Sequence, residues 1–220
     1  MEIKHETGTF LDLNGNLIQN NNKNLILHVA IDLFSKSGFN AVSIRDITRE
    51  VGIKESSLYN HFQSKAVILE TIYYNFRMDI SKIIPPLEGL DAIVSAMDVE
   101  MFLMRGFQNF MEHIQNPKME KIWRIIYLEQ VRDQEARAIY LNDIVAGMSN
   151  YMAIVFEKYI ALGQIQPHDP RILSVNYQYS LLQMSSLYVL RRLDGEETTE
   201  IEQTMIAHIR FFTSMVRVQS

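Results

Sequence analysis

Around a short segment from Glu55 to His61 the chain places Lys54, Ser56, Ser57, Tyr59, Asn60 and His61, with Leu58 and then Phe62 as the apolar anchors. Side chains of these types offer a polar ligand hydrogen bonds and a positive charge. A helix this short cannot stand on its own. Its polar side therefore reads as a surface held up by neighbours for recognition, as in a helix whose N-terminal residues enter a DNA major groove.

The elements that must hold it are legible on either side. Upstream, Ile26, Val29, Ala30, Leu33 and Phe34 recur at spacings of three and four and stop at Gly38, which predicts one amphipathic helix ended by a glycine. A second helix is predicted from Ser43. Its hydroxyl can accept from the amide of Asp46, which itself sits in the first turn, where the helix dipole favours negative charge. Ile44, Ile47 and Val51 form the buried stripe, and Gly52 supplies the positive-φ turn that redirects the chain. Ile53 is placed to fill the angle before the third pattern begins.

Taken together, Ala30-x-x-Leu33-Phe34, Gly38-Phe39, Ser43-Ile44, Ile47, Val51-Gly52-Ile53, Leu58-Tyr59-Asn60-His61-Phe62 and Ser64-Lys65 resemble the N-terminal DNA-binding domain of the TetR family of bacterial transcriptional regulators. The resemblance runs from Asn24 to Arg77, about a quarter of the chain. It implies that Ser43, Lys54, Ser56, Ser57, Tyr59, Asn60, His61 and Lys65 approach double-stranded DNA. Tyr59, His61 and Lys65 would meet phosphates; Lys54, Ser56, Ser57 and Asn60 would read bases, Lys54 at a guanine edge and Asn60 at an adenine edge. Two positions depart from the family pattern. Lys54 stands where a Ser or Thr cap is usual, and Val67 where a carboxylate often completes the next cap.

Charge agrees in direction. The chain of 220 residues carries a formal net charge of −5. Residues 24–77 hold six Lys and Arg against five Asp and Glu, whereas residues 78–220 hold 13 against 18. With a surplus of one positive charge, a single domain should hold random DNA weakly, so useful binding needs two domains on one site.

Composition narrows the rest. There are no cysteines, so disulfides and thiolate chemistry are excluded. The six histidines lie far apart with no His-x-x-x-His pair, no glycine-rich phosphate loop is present, and Gly147-Met148-Ser149 lacks the second glycine of a nucleophile elbow. An enzyme is therefore disfavoured, and no metal or cofactor is expected. No apolar run approaches the roughly 18 residues that span a bilayer, and the polar N-terminus is no signal peptide. These features predict a cytoplasmic protein without membrane contact.

Residues 1–23 read as an N-terminal arm. The favoured reading is a flexible arm, since an isolated two-stranded hairpin is marginal in water; the alternative is a hairpin of Thr9 to Leu13 and Asn16 to Gln19 with a type I′ turn at Asn14-Gly15, and Asn20 to Asn24 reads as a linker. Beyond Arg77, prolines at 85–86, 117, 167 and 170 divide a sequence that reads as helical throughout. Helices are predicted near 64–83, 90–115, 118–130, 134–162, 170–193 and 197–217. The fold class is all-α: a DNA-binding domain at 24–77, then a helical ligand-binding and dimerisation domain at 78–220.

Within that second part, Ile172 to Leu193 is apolar nearly all round and needs cover on more than one side. The final helix stripes Ile201, Met205, Ile209, Phe212 and Val216, with Ile206, Phe211 and Met215 off the stripe. The resemblance implies that these two helices pair with a second copy as a homodimer reading a palindrome. It also implies a small-molecule effector. An adaptable apolar cavity is expected among Phe102, Phe107, Met111, Trp123, Tyr127, Tyr151, Phe156, Tyr177 and Met184, residues that by pattern alone read as core. Arg105, Glu112, His113, Arg124 and Glu129 are interspersed and read mostly as solvated. The expected function is a repressor released by a small apolar ligand, set against an activator of the same fold or a helical adaptor that binds only protein.

Overall fold

A computed structural model describes residues 10–218. Eleven α-helices run through them: α1 (Asn21–Ser37), α2 (Ile44–Val51), α3 (Glu55–Tyr59), α4 (Lys65–Ile80), α5 (Leu90–Ala96), α6 (Val99–Gln115), α7 (Pro117–Glu129), α8 (Gln134–Ala138), α9 (Met148–Ala161), α10 (Pro170–Leu193) and α11 (Thr199–Val216). Among the described residues there is no strand, only the isolated bridges Leu11–Leu17 and Ile165–Arg217. The all-α expectation holds.

The helices fall into two compact units. The first joins the chain through Ser81 with Ile114–Ile139; the second holds Lys82–His113 and the chain from Tyr140. In the first unit, Ile26, Ala30 and Phe34 of α1, Ile47 of α2, Leu58 of α3 and Ile68, Ile72 and Phe76 of α4 are fully buried. Leu27 and Ile31, outside the predicted stripe of α1, are buried as well. The reason is α7: it lies along α1 and buries Ile122, Trp123, Ile125 and Ile126, with Trp123 edge-on to Phe76 at 5.0 Å. A helix covered on two sides loses its one-sided pattern.

The N-terminal arm is anchored where it is described. Leu11 N–H donates to Asn75 Oδ1 and Asn75 Nδ2 donates back to Leu11 O, both at 2.8 Å. Asn24 Nδ2 donates to Ile18 O at 2.7 Å, and Phe10 is fully buried against His28. The turn differs from the type I′ expectation. Asn14 has no positive φ; instead Gly15 N–H donates to Asp12 O at 3.0 Å and Gly15 alone turns left-handed, giving the three-residue loop Leu13-Asn14-Gly15. Asn20 to Asn24 is not a linker. Asn20 caps α1 through Lys23 N–H, so the helix begins within the asparagine run. Residues 1–9 of the expected arm lie outside the described residues.

Further along, the expected helix over 90–115 is broken. Met97 is extended, its carbonyl accepts from the Tyr159 hydroxyl at 3.2 Å, and Asp98 restarts the chain by accepting from Met101 N–H at 2.8 Å. The helix over 134–162 is continuous but winds as a π-helix from Ile139 to Gly147. There the buried Gln178 of α10 takes a bond from Ser149 at 2.9 Å and donates to Ile144 O at 3.2 Å. Contrary to the composition-based expectation, Gln134–Ala161 is long and apolar enough to cross a membrane by length and content alone. Its Tyr151, Met152, Val155, Phe156 and Tyr159 are buried in the second unit, as befits a core helix packed on α10.

Candidate nucleic-acid interface

The start of α2 is held as its letters predict. Ser43 Oγ accepts from Asp46 N–H at 3.2 Å, while Asp46 Oδ2 accepts from Ser43 N–H at 2.9 Å and from its hydroxyl at 2.6 Å. The Ser43 hydroxyl, expected at DNA, is thus committed to this cap. Gly52 ends α2 in the left-handed region at φ 77, donating its N–H to Thr48 O. The chain then turns through half-buried Ile53 into α3.

α3 is five residues long and has no side-chain cap at Lys54, as the missing Ser or Thr predicts. Leu58 is its one buried residue, supported just beyond by buried Phe62. Everything else on it turns outward: Lys54, Glu55, Ser56 and Asn60 are exposed, Tyr59 is 51% exposed, and Ser57 and His61 are half-buried. The predicted recognition residues Lys54, Ser56, Ser57, Tyr59, Asn60 and His61 are therefore brought together on one short element. Arg45, which the motif reading passed over, joins them: from the first turn of α2 its Nε bonds Glu55 Oε1 at 2.9 Å. Its signal was its place two residues after Ser43, in the exposed first turn of the same helix.

Lys65, expected at a phosphate, is also tied to the backbone before α2. Its Nζ donates to Phe39 O at 2.7 Å and Val42 O at 2.6 Å, and lies 4.1 Å from the Phe39 ring centre. Burial holds its pKa below the ordinary lysine value, partly opposed by the nearby Glu129 carboxylate. Glu129 is itself a correction to the solvated reading. It is 4% exposed, and its Oε1 accepts Phe39 N–H at 2.7 Å. The spacing Ile122, Ile125, Ile126, Glu129 already put it on the inward face of α7. Arg124 is also partly enclosed, paired with Glu120 at 3.3 Å.

The cap carries a pH signature. The Ser43 hydroxyl and N–H, then Arg49, hold the Asp46 carboxyl down to about 2. A carboxyl that titrates lower folded than unfolded contributes stability above its unfolded pKa of about 4 and loses it as pH falls through the folded value. The stability gap between wild type and Asp46→Asn, followed by urea unfolding, is expected to be flat from about pH 7 to about pH 5 and to vanish toward pH 2. A gap undiminished at that acidity contradicts the reading.

The apolar candidates divide. Phe102, Phe107, Met111, Tyr151, Phe156, Tyr177 and Met184 belong to the second unit, where Phe156 packs on Tyr177 and Phe212 at 5.9 and 5.4 Å and Phe102 on Tyr159 at 5.9 Å. Trp123 and Tyr127 belong to the first unit. Pattern reading missed Tyr159 and His208, the latter of which stacks on Tyr177 and bonds its carbonyl at 3.1 Å, and it placed Phe212 on the α11 stripe without linking it to this cluster. Burial pushes the Tyr151 hydroxyl up to about 12, and that hydroxyl is buried with no hydrogen-bond partner among the described residues. No cluster of three or more metal-ligating side chains occurs among them.

Residues 26–72 match the family model described as bacterial regulatory proteins, tetR family. The biofilm operon icaADBC HTH-type negative transcriptional regulator IcaR of Staphylococcus aureus is 46% identical over 48 residues, 22% of this chain and 26% of that protein. The matches span about a quarter of the length of the curated relatives concerned. Over nearly the whole chain the fold resembles the ketosteroid transcriptional regulator KstR2 of Mycobacterium tuberculosis, with a TM-score of 0.63 and 18% identity, covering 92% of this chain and 98% of that one. It also resembles SmeT in its complex with triclosan, with a TM-score of 0.64 and 13% identity, covering 91% and 94%. At such identities the likeness is one of fold.

Proposed function

Through its DNA-binding domain the chain belongs to the TetR family of bacterial regulatory proteins, and from that premise we propose that it is a cytoplasmic transcriptional repressor, binding a palindromic operator as a homodimer and released by a small, largely apolar ligand. The observation that carries this reading is α3: a short helix whose one buried residue is Leu58, its polar residues turned outward. Tyr59 donates to a phosphate, and Lys54, Ser56 and Asn60 face base edges, with Arg45 beside them. Ser43 and Lys65 act by holding the frame.

The second copy is supported by apolar side chains with no cover. α10 exposes Ile172, Val175, Tyr179, Leu187 and Leu190 at helical spacing, and α11 exposes Phe211 and Met215. The effector site is supported by the aromatic cluster around Phe156 and Tyr177 and by the unpartnered Tyr151 hydroxyl, an orienting donor for a bound molecule. IcaR is named a negative regulator and SmeT binds triclosan, which agree with repression and with an apolar effector. A ligand that prefers the non-binding arrangement shifts α4, and with it α3, by a coupling of about 1 to 3 kcal/mol.

The test is a duplex selected on the wild-type protein from a random-sequence pool. The logarithm of its affinity should fall linearly with the logarithm of salt concentration. Tyr59→Ala should weaken it about tenfold by removing a charge-assisted phosphate contact. Failure to enrich any duplex, or an affinity indifferent to salt and to Tyr59, leaves a protein-binding adaptor as the better reading.

A further inference from the structure

We propose that Glu129 is a positioning residue for DNA recognition, acting from α7 on the turn that precedes α2; the inference rests on the DNA-binding reading above and deepens it. The turn from Gly38 to Val42 is pinned at three points. Phe39 N–H donates to Glu129 Oε1 at 2.7 Å, and Lys65 Nζ takes the carbonyls of Phe39 and Val42 at 2.7 and 2.6 Å. The next residue is Ser43, whose cap begins α2. Displacement at Phe39 is therefore passed through four residues to the helix on which α3 is seated.

The carboxylate and the ammonium form a unit. Glu129 attracts Lys65, and together they take one donor and two acceptors of a turn that makes few backbone bonds of its own. Space is fitted as closely as charge. A Cβ on Gly38 would stand 3.1 Å from Glu129 Oε1, and Gly38 has φ +78, so both the approach of the carboxylate and the backbone require glycine there. The carboxylate comes from outside residues 26–72, 90 positions from the amide it holds. A buried carboxylate aimed at a main-chain amide fixes position more firmly than apolar contact would, because leaving either group unpaired is costly.

The experiment uses the full chain and a duplex selected on the wild type from a random-sequence pool. Glu129→Met fills the space but accepts no N–H; Glu129→Gln restores an acceptor without the charge; Leu128→Ala, exposed on the same helix, is the neighbour control. Glu129→Met is expected to weaken the duplex about tenfold or more and to strip hydrogen-exchange protection from Phe39 N–H, while Glu129→Gln stays within about threefold of wild type with Phe39 protected. The proposal is overturned if Glu129→Met binds as wild type does. It is equally overturned if Glu129→Gln loses as much as Glu129→Met, or if affinity falls only with a uniform loss of protection across the unit. If the wild type selects no duplex, the DNA-binding reading fails first, and Phe39 protection still decides whether Glu129 holds the turn.

Discussion

Phe211→Asp is expected to turn the protein into a monomer and to reduce affinity for its selected duplex by about a hundredfold or more. Phe211 is 62% exposed and Met215 57% exposed on α11, although the opposite stripe of that helix, from Ile201 to Val216, is buried as its spacing predicts. On α10, Leu190 and Ile172 stand out in the same way. Each such side chain gains about 1.5 to 3 kcal/mol when covered, and a carboxylate in that contact must be desolvated without a partner. The effect on DNA follows from arithmetic. One domain with a surplus of a single positive charge binds weakly, and linking two raises affinity by about two to four orders of magnitude. Sedimentation velocity reads the mass and a duplex titration reads the affinity. A Phe211→Asp protein that stays dimeric with unchanged affinity removes these helices from the interface.

Leu58→Ala should abolish duplex binding and lower stability by about 2 to 5 kcal/mol. Leu58 is 0% exposed and is the only buried residue of α3. A five-residue helix without a side-chain cap has neither length nor capping to replace that anchor. Without it the polar residues lose a common surface, so the binding loss exceeds what removing any one contact would cause. Urea unfolding and the same titration check both halves. A cost below about 1 kcal/mol with affinity retained shows that the loop after Gly52 and Phe62 suffice to hold the surface.

What could be read from the letters was local. The cap at Ser43, the turn at Gly52, the weak start at Lys54 and the stripe on α11 each depend on residues within four positions of one another, where side-chain reach and helical period decide the outcome. The break at Met97 and Asp98 was missed because the hydroxyl that holds it belongs to Tyr159, far along the chain. The bonds of Lys65 to the carbonyls of Phe39 and Val42 were not legible, because those acceptors lie more than twenty residues before it. Asn24 and Asn75 looked like polar residues of a linker and a helix, and only their pairing with Ile18 and Leu11 shows why they are buried. The apolar residues proposed for a cavity were least legible, since core and pocket share the same composition. Trp123 and Tyr127 belong to the first unit, Trp123 within its core.

The first unit is assembled from two stretches separated by residues 82–113, and this sets an order on its birth. α1 to α4 leave the ribosome with the inner face of α7 still unsynthesised, so Leu27 and Ile31 have no cover until Ile122 to Glu129 arrive. At about 5 to 20 residues per second that interval lasts roughly 3 to 10 s, long beside the time in which helices form. The nascent reading head is thus born unfinished. Its buried face is completed only once α7 has followed residues 82–113 out of the ribosome, so part of the second unit is made before the first is whole.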